Sequence, residues 1–237
     1  MKKKIGIGIA VLVLGAIAVF MLSNPLGGLI KLAIESLGPD MLQAKISVSN
    51  VKISTADGQG VLKKFNLGNP KGFKTDHAFK ADRIEIVIEP TSIAQDIIVI
   101  SKVLIVAPNI IYESSSSGTN FDILQRNVDT YLGASTSNKG KKDTGKKVII
   151  KSFEIRDAEV NYNGTIDLPL PNIELRDIGK KSGGASFAQV SKRVFSELNS
   201  KLSFSKSSVI DSVGAAAKGA GSAAKGAGNA IKGLFGK

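Results

Sequence analysis

The sequence predicts a mainly β (α+β) chain: a single N-terminal transmembrane helix, then an exported, curved antiparallel β-sheet domain with flanking amphipathic helices. Three observations carry this expectation. An uncharged apolar run, Ile5 to Leu22, follows three lysines. From Gln43 onward the apolar period changes from 3.6 to 2. Helix-spaced apolar stripes then return near residues 120–133 and 185–203. The 237 residues suffice for one substantial domain or two small ones.

The first element is the membrane anchor. As a helix at 1.5 Å per residue, residues 5–22 would be about 27 Å long, close to the hydrocarbon thickness of a bilayer. Ile5, Leu12, Leu14, Phe20 and Leu22 are its representative membrane contacts. The alternative is a cleaved signal peptide, but the apolar region is long for one and "MLSNP" is a poor cleavage site. Lys2, Lys3 and Lys4 precede the run and no lysine follows closely, so residues 1–4 form a cytoplasmic stub and everything from Ser23 is exported.

Residues 23–38 read as an amphipathic juxtamembrane helix, started by Asn24-Pro25 and stopped by Gly38-Pro39. Its expected stripe is Leu26, Leu29, Ile30, Ala33 and Leu37, lying either on the membrane or on the following domain.

Residues 43–133 form a first β block. "KISVSNVKIS" alternates Ile46/Val48 and then Val51/Ile53, and the slip at Ser49-Asn50 predicts a bulge. "GVLKKFNLGNP" and "RIEIVIEP" follow, the second placing Ile84, Ile86 and Ile88 on one face, with Asn69-Pro70 and Lys71-Gly72 as turns between them. "IIVISKVLIVAP" is apolar at both parities, as a strand covered on both faces would be. "TNFDILQRNVDTYLG" predicts a helix capped by Asn120, with Phe121, Leu124, Val128 and Leu132 inward and Gly133 ending it.

Residues 134–147 form a basic loop or linker, and 148–179 a second β block of similar strand–turn–strand layout. In its hairpin, a three-residue loop of Asn163 to Thr165 pairs Tyr162 with Ile166 and Val160 with Leu168, whereas a two-residue Asn-Gly turn would break the apolar face. Residues 185–203 carry Phe187, Val190, Val194, Leu198 and Leu202 on one helical stripe. The tail, 206–237, repeats every seven residues, with Lys218, Lys225 and Lys232 one heptad apart. Its many glycines predict a helix that orders only on an anionic membrane or a partner helix, with Lys218, Lys225, Lys232, Ile231, Leu234 and Phe235 as the membrane contacts.

Composition narrows the function. A net charge of +12 and a pI near 9.8 favour an anionic partner, but aromatics at 5% and the absence of Trp argue against a nucleic-acid surface. Without cysteine and with one histidine, the chain has neither a His/Cys zinc set nor a Cys–His pair. His77 falls in a lysine-rich turn segment, where a solvated surface role is expected. Gly140 to Lys147 resembles a P-loop, yet Lys147 stands where Ser or Thr must hold magnesium. Asn163-Gly164-Thr165 is a formal glycosylation sequon and more simply a turn. Asp76, Asp82, Glu85 and Glu89 show no pairing suited to acid–base work. No catalytic residue, cofactor or metal is expected, and the chain reads as a non-enzyme.

The order of "NPKGF", "IVAPNIIYE" and "TNFDILQRNV", behind an N-terminal anchor, resembles the AsmA-like family of bacterial envelope proteins, best over residues 1–132. "VIIKSFEIRDAEVNYNGTIDLPLPNIELRDIG" is similar to that family's next strand block. The resemblance implies an inner-membrane protein with a periplasmic sheet, serving cell-envelope and outer-membrane biogenesis and lipid transport. Its partner would be membrane phospholipid, with a homo-oligomer or another envelope protein possible. It carries over no catalytic residue. Ile84, Ile86, Ile88, Val99, Val103 and Ile105 are the candidate lipid-facing strand residues. Roughly nine strands at about 4.8 Å would reach about 43 Å, short for a complete conduit. Whether the apolar sheet face is a lipid groove or the sealed core of an assembly factor is open at the level of periodicity.

Overall fold

The computed structural model describes residues 25–137 and 146–219. The anchor residues Ile5, Leu12, Leu14, Phe20 and Leu22 lie outside the described residues, as does the tail from 220 onward. Among the described residues no helix is long and apolar enough to cross a membrane.

The chain runs α1 (Pro25–Leu42), β1 (Ile46–Ile53), β2 (Gln59–Leu67), β3 (Phe79–Ile88), β4 (Ile97–Val106) and β5 (Asn109–Tyr112). A small hairpin of β6 (Ser114–Ser115) and β7 (Gly118–Thr119) leads into α2 (Asn120–Ser137). Then come β8 (Lys147–Arg156), β9 (Glu159–Tyr162), β10 (Ile166–Pro169), β11 (Ile173–Ile178) and α3 (Phe187–Gly219).

Nine of these strands form one curled, half-barrel sheet to which both β blocks contribute. Three collinear pairs, β4–β5, β8–β9 and β10–β11, reduce the nine strands to six lanes. Their order is β1, β2, β3, β4–β5, β8–β9, β10–β11. Five gaps of about 4.8 Å give a sheet about 24 Å across, not the 43 Å of nine strands side by side.

The sheet is mixed rather than purely antiparallel. β4 pairs with β8, and β5 with β9, in parallel, each residue beside the one fifty positions later, from Ile97↔Lys147 to Tyr112↔Tyr162. The reason is the α2 crossover, which carries the chain back to the end where β4 began. The hairpin after β9 has the three-residue loop, with Tyr162 opposite Ile166 and Val160 opposite Leu168.

One irregularity crosses every lane at the same level. Inward positions are spaced by two, then skip to three: Val48 to Val51, Leu62 to Phe65, Ala81 to Ile84, Ile105 to Pro108, Ile155 to Ala158, and Leu170 to Ile173. By the registers on either side, Ser49, Lys64, Asp82, Ala107, Asp157 and Pro171 form one row at this seam. Lys64, Ala107 and Asp157 adopt left-handed φ of 52°, 48° and 52°. The Ser49-Asn50 slip is therefore not a one-strand bulge: Val48↔Phe65 and Asn50↔Lys63 keep one register across it, so no residue is inserted. A flip in one strand alone would expose its apolar set, whereas a flip in all six leaves the apolar face intact.

Helix α1 packs on the edge strand β1. It passes the expected stop, because Gly38 lies flat against the sheet: a Cβ there would come within 2.5 Å of Ile46 Cδ1. Pro39 removes one helical N–H, and the burial of Met41 and Leu42 holds the last turn in place. The turn closes at Gln43, φ 51°, whose N–H bonds the Pro39 carbonyl at 2.9 Å. The buried face keeps Ile30 of the expected stripe but departs from it at Ala33 and Leu37. Ala33 and Leu37 point outward, while Ile30 and Ile34 pack on the core. The rotation brings polar groups to the sheet edge: Lys31 Nζ donates to the Val48 carbonyl at 2.7 Å and Val48 N–H donates to Glu35 Oε1 at 3.0 Å. These side chains satisfy an edge that would otherwise template another strand.

At α2 the cap is Thr119, not Asn120. Asp122 N–H donates to Thr119 Oγ1 at 3.1 Å and Thr119 N–H donates to Asp122 Oδ2 at 3.0 Å, a reciprocal capping box. Phe121, Leu124 and Val128 are fully buried as expected, and the helix runs past Gly133 to Ser137. Helix α3 also starts on a capping box, Ser186 with Gln189, and is unbroken from Phe187 to Gly219. The helix of 185–203 and the first part of the tail are thus one element. Leu198 and Leu202 are buried as expected, but Phe187 is 45% exposed and Phe195 takes a core position instead.

The left-handed seam generates a test. Asp157→Val, a β-branched residue at φ 52°, should cost about 1–2 kcal/mol, while Asp157→Gly should be close to neutral. Urea unfolding of the two variants measures the difference.

Candidate functional site

The concave face is built by cross-strand pairs. Ile84 lies opposite Ile105, Ile86 opposite Val103, and Ile88 opposite Ile100. Five of the six candidate strand residues thus share one patch, extended by Ile150, Phe153 and Ile155 of β8 and by Ile173 and Leu175 of β11. Val99 is the exception. A second face switch, at Ser101, Lys151 and Asp177 (φ 53°), puts Ile98 and Ile100 with the core and leaves Val99 on the opposite side. Ile84, Ile88, Val103 and Ile105 are between 2% and 8% exposed, so the chain's own side chains largely fill this part of the concavity.

Two antiparallel helices complete the filling. Phe121 of α2 sits 6.3 Å from Phe195 of α3, centroid to centroid, and Asn199 Nδ2 donates to Asp122 Oδ1 at 2.8 Å. Lys192 pairs with Asp129 at 2.7 Å. Burial alone would raise the Asp122 carboxyl, but the donors Asn199 and Thr119, with Arg126 nearby, outweigh it and hold its pKa below the usual range. Tyr112 stacks on Phe121 and meets Tyr162 edge-on, and Tyr162 Oη donates to the Leu202 carbonyl at 2.7 Å.

The far end, carrying Ile46, Tyr112 and Tyr162, is closed by a polar network joining the three motifs of the sequence. Asn120 is fully buried; its Nδ2 donates to Asn69 Oδ1 (2.8 Å) and the Ile111 carbonyl (2.7 Å), and its Oδ1 accepts from Phe121 and Glu113 N–H. Asn69 Nδ2 donates to Thr75, and the Glu113 carboxylate accepts from Lys74 N–H, Thr75 N–H and Thr75 Oγ1 at 2.6–2.9 Å. "NPKGF", "IIYE" and "TNFD" therefore meet at one knot. Sequence reasoning missed it because its members are brought together only by β5 and the loop before β3. Burial works to raise Glu113, and the Thr75 and Lys74 donors overcome it, so its pKa is lowered.

His77 departs from its expected surface role. It is only 6% exposed, with Nδ1 2.5 Å from Asp76 Oδ1 and Nε2 2.5 Å from Asn109 Oδ1. The physical reason is the β3–β5 pairing, Phe79↔Ile110 and Lys80↔Asn109, which folds the turn against the sheet. Lys80, followed by His77, holds the Asp76 carboxyl below its ordinary range.

The convex face carries charge in neighbouring pairs: Arg83 with Glu85, Arg156 with Glu154, and Arg176 with Glu174. A polar recess of about 390 Å³ beside the seam is lined by Glu154, Arg156, Asp157, Asn172, Ile173 and Glu174. Among the described residues no cluster of His, Cys, Asp and Glu is arranged to hold a metal. Of the tail contacts, Lys218 falls within α3, whereas Lys225, Ile231, Lys232, Leu234 and Phe235 lie outside the described residues.

No protein-family model matches this sequence, and a search of curated proteins finds no similar chain.

The Glu113 knot makes two predictions. Asn120→Ala should destabilise by about 2–3 kcal/mol, since it leaves buried donors and acceptors unpaired. Glu113→Gln should lower stability at neutral pH. Because the folded pKa of Glu113 is depressed from 4.5, its contribution is full above that value and disappears as pH falls through the folded pKa. Denaturation midpoints of wild type and Glu113→Gln should therefore converge in acid.

Proposed function

We propose that this chain is a single-pass protein of the bacterial inner membrane, with a cytoplasmic N-terminus and a periplasmic half-barrel. It serves envelope and outer-membrane biogenesis by binding or moving phospholipid, and it catalyses no reaction. The observation that carries the reading is the chemistry of the concave face. Among the described residues, the buried polar side chains His77, Ser92, Thr119, Asn120, Ser186 and Ser205 lie off the nine-stranded sheet. The buried polar atoms of Asn66, Glu154 and Asn161 belong to positions that alternate with inward Phe65, Phe153 and Val160. The concave face from β3 to β11 is thus lined by apolar side chains and the Tyr112 and Tyr162 rings. Such a surface suits acyl chains. The AsmA-like order of motifs supports the same reading.

Both lateral edges are terminated. Lys31 and Glu35 cover β1, and Pro169 and Pro171 lie along β10–β11, where a proline cannot donate to a further ladder. This favours a local cup over a sheet that lengthens into a conduit. Acyl chains would engage where Ile98 and Ile100 are only half-buried.

A second reading draws on the low exposure of Ile84, Ile88, Val103 and Ile105: a sealed core, with the chain acting as an envelope assembly factor through protein partners or a homo-oligomer. Lipid analysis of the full chain after mild extraction, beside a detergent-stripped control, separates the two. Phospholipid should co-purify with the wild type and fall several-fold in Ile98→Asp/Ile100→Asp. Lipid-free protein after mild extraction would leave the assembly factor.

A further inference from the structure

The two ends of the half-barrel differ in chemistry. The far end is closed by the Glu113–Asn120 knot and the Asn163–Thr165 turn. At the near end, Ile97, Ile98, Val99 and Ile100 of an interior strand are all half-exposed, beside Val148 and Ile149 of β8. An interior strand whose apolar side chains are half-open on both faces lacks the cover such a strand normally has.

Other groups gather at the same end. Ala185 bridges to Val148, which places Phe187, 45% exposed, next to it. Lys146, Lys147, Lys180 and Lys181 are exposed there. Lys180 pairs with Asp177 at 3.2 Å, and Lys146 Nζ bonds the carbonyls of Ile93 and Gln95, which leaves its charge without a carboxylate. Nearby acidic groups are Asp57, Glu89 and Asp96; Glu89 is taken up by Lys151 at 2.5 Å.

The path of α1 supplies the partner. Gly38 meets Ile46 and Lys31 reaches Val48 and Ser49, so the helix runs antiparallel to β1 and its first residue, Pro25, points toward the Ile53 end. In the lane registers Ile53 is level with Val103 and Phe153, and Ile97 and Lys147 lie six residues further in the same direction. Only Ser23 and Asn24 separate Pro25 from the apolar run that ends at Leu22.

We infer that the near end of the half-barrel rests on the surface of the anionic phospholipid bilayer that holds the anchor. Phe187 and the Ile97–Ile100 strand end enter the interface, and Lys147 and Lys181 meet lipid phosphates. This rests on the anchored reading above. Aromatic and apolar groups ringed by lysines suit that boundary, where the rings and alkyl stems lie among acyl chains and the ammonium groups stay in water. The half-open mouth of the concavity then faces lipid directly.

The chain has no cysteine, so single-cysteine variants of the full chain can carry one environment-sensitive fluorophore. Phe187→Cys, Lys181→Cys and, at the far end, Thr165→Cys are labelled and reconstituted into phosphatidylcholine vesicles with phosphatidylglycerol and spin-labelled lipid. Strong quenching is expected at 187 and 181 and little at 165. Lys147→Glu in the Phe187→Cys background should reduce quenching at 187 several-fold. Equal, weak quenching at all three sites in a chain that floats with vesicles and resists alkaline carbonate would overturn the docking while leaving the anchor standing. A chain that neither floats nor resists carbonate would overturn both.

Discussion

Each lane of the half-barrel must present its apolar side chains to the same side along its whole length, yet in each the inward alternation reverses at the seam. In a single strand the two conflict, because a reversal turns every apolar side chain after it to the other face. The conflict is resolved by synchrony. Ser49, Lys64, Asp82, Ala107, Asp157 and Pro171 sit in one row, so the reversal in each strand is matched by its neighbour and no ladder shifts register at that row. The concave core, the position of the helices over it and the separation of the two ends all follow from that row.

The seam also divides labour along the strands. On its far side, aromatic contacts among Tyr112, Tyr162, Phe121 and Phe195 join the sheet to α2 and α3, and the side chains of Asn69, Thr75, Glu113 and Asn120 are held in one hydrogen-bonded network. On its near side Ile84, Ile86, Ile88, Ile100, Val103 and Ile150 pack with Phe153, and Lys146, Lys147, Lys180 and Lys181 stand at the rim. The far end is tied by aromatic and polar contacts, and the near end leaves Ile97, Ile98, Val99 and Ile100 half-buried.

Much of this was legible in the sequence where the signal was local. The three-residue turn could be read because only that register pairs Tyr162 with Ile166 and Val160 with Leu168. The inward set Phe121, Leu124 and Val128 followed from helical spacing. Other features depended on distant neighbours. The parallel pairing of β4 with β8 joins residues fifty apart, although Ile105-x-x-Pro108 and Ile155-x-x-Ala158 show the same three-residue skip in both segments. That skip in Val48-x-x-Val51 reads as a bulge in one strand, since only the partner strand reveals that it skips too. His77 is buried because Asn109 arrives from another strand, and α1 turns Lys31 and Glu35 inward because β1 has an open edge to satisfy. Of the candidate site, the Ile84/Ile86/Ile88 face was readable from alternation, while Val99 was misplaced by the second switch.

The parallel join between the halves has a consequence for biogenesis. When the chain emerges N-terminus first, β1 through β5 can pair completely through neighbouring strands, but β4–β5 has no neighbour on its other side until Lys147–Tyr162 appears. For the time taken to make the intervening residues, the most apolar of the described strands is an open edge, the kind that recruits other chains. A nascent half-sheet of this kind has a built-in period of vulnerability. Helix α2, formed within that interval, is the only described element between the two strands long enough to shield it.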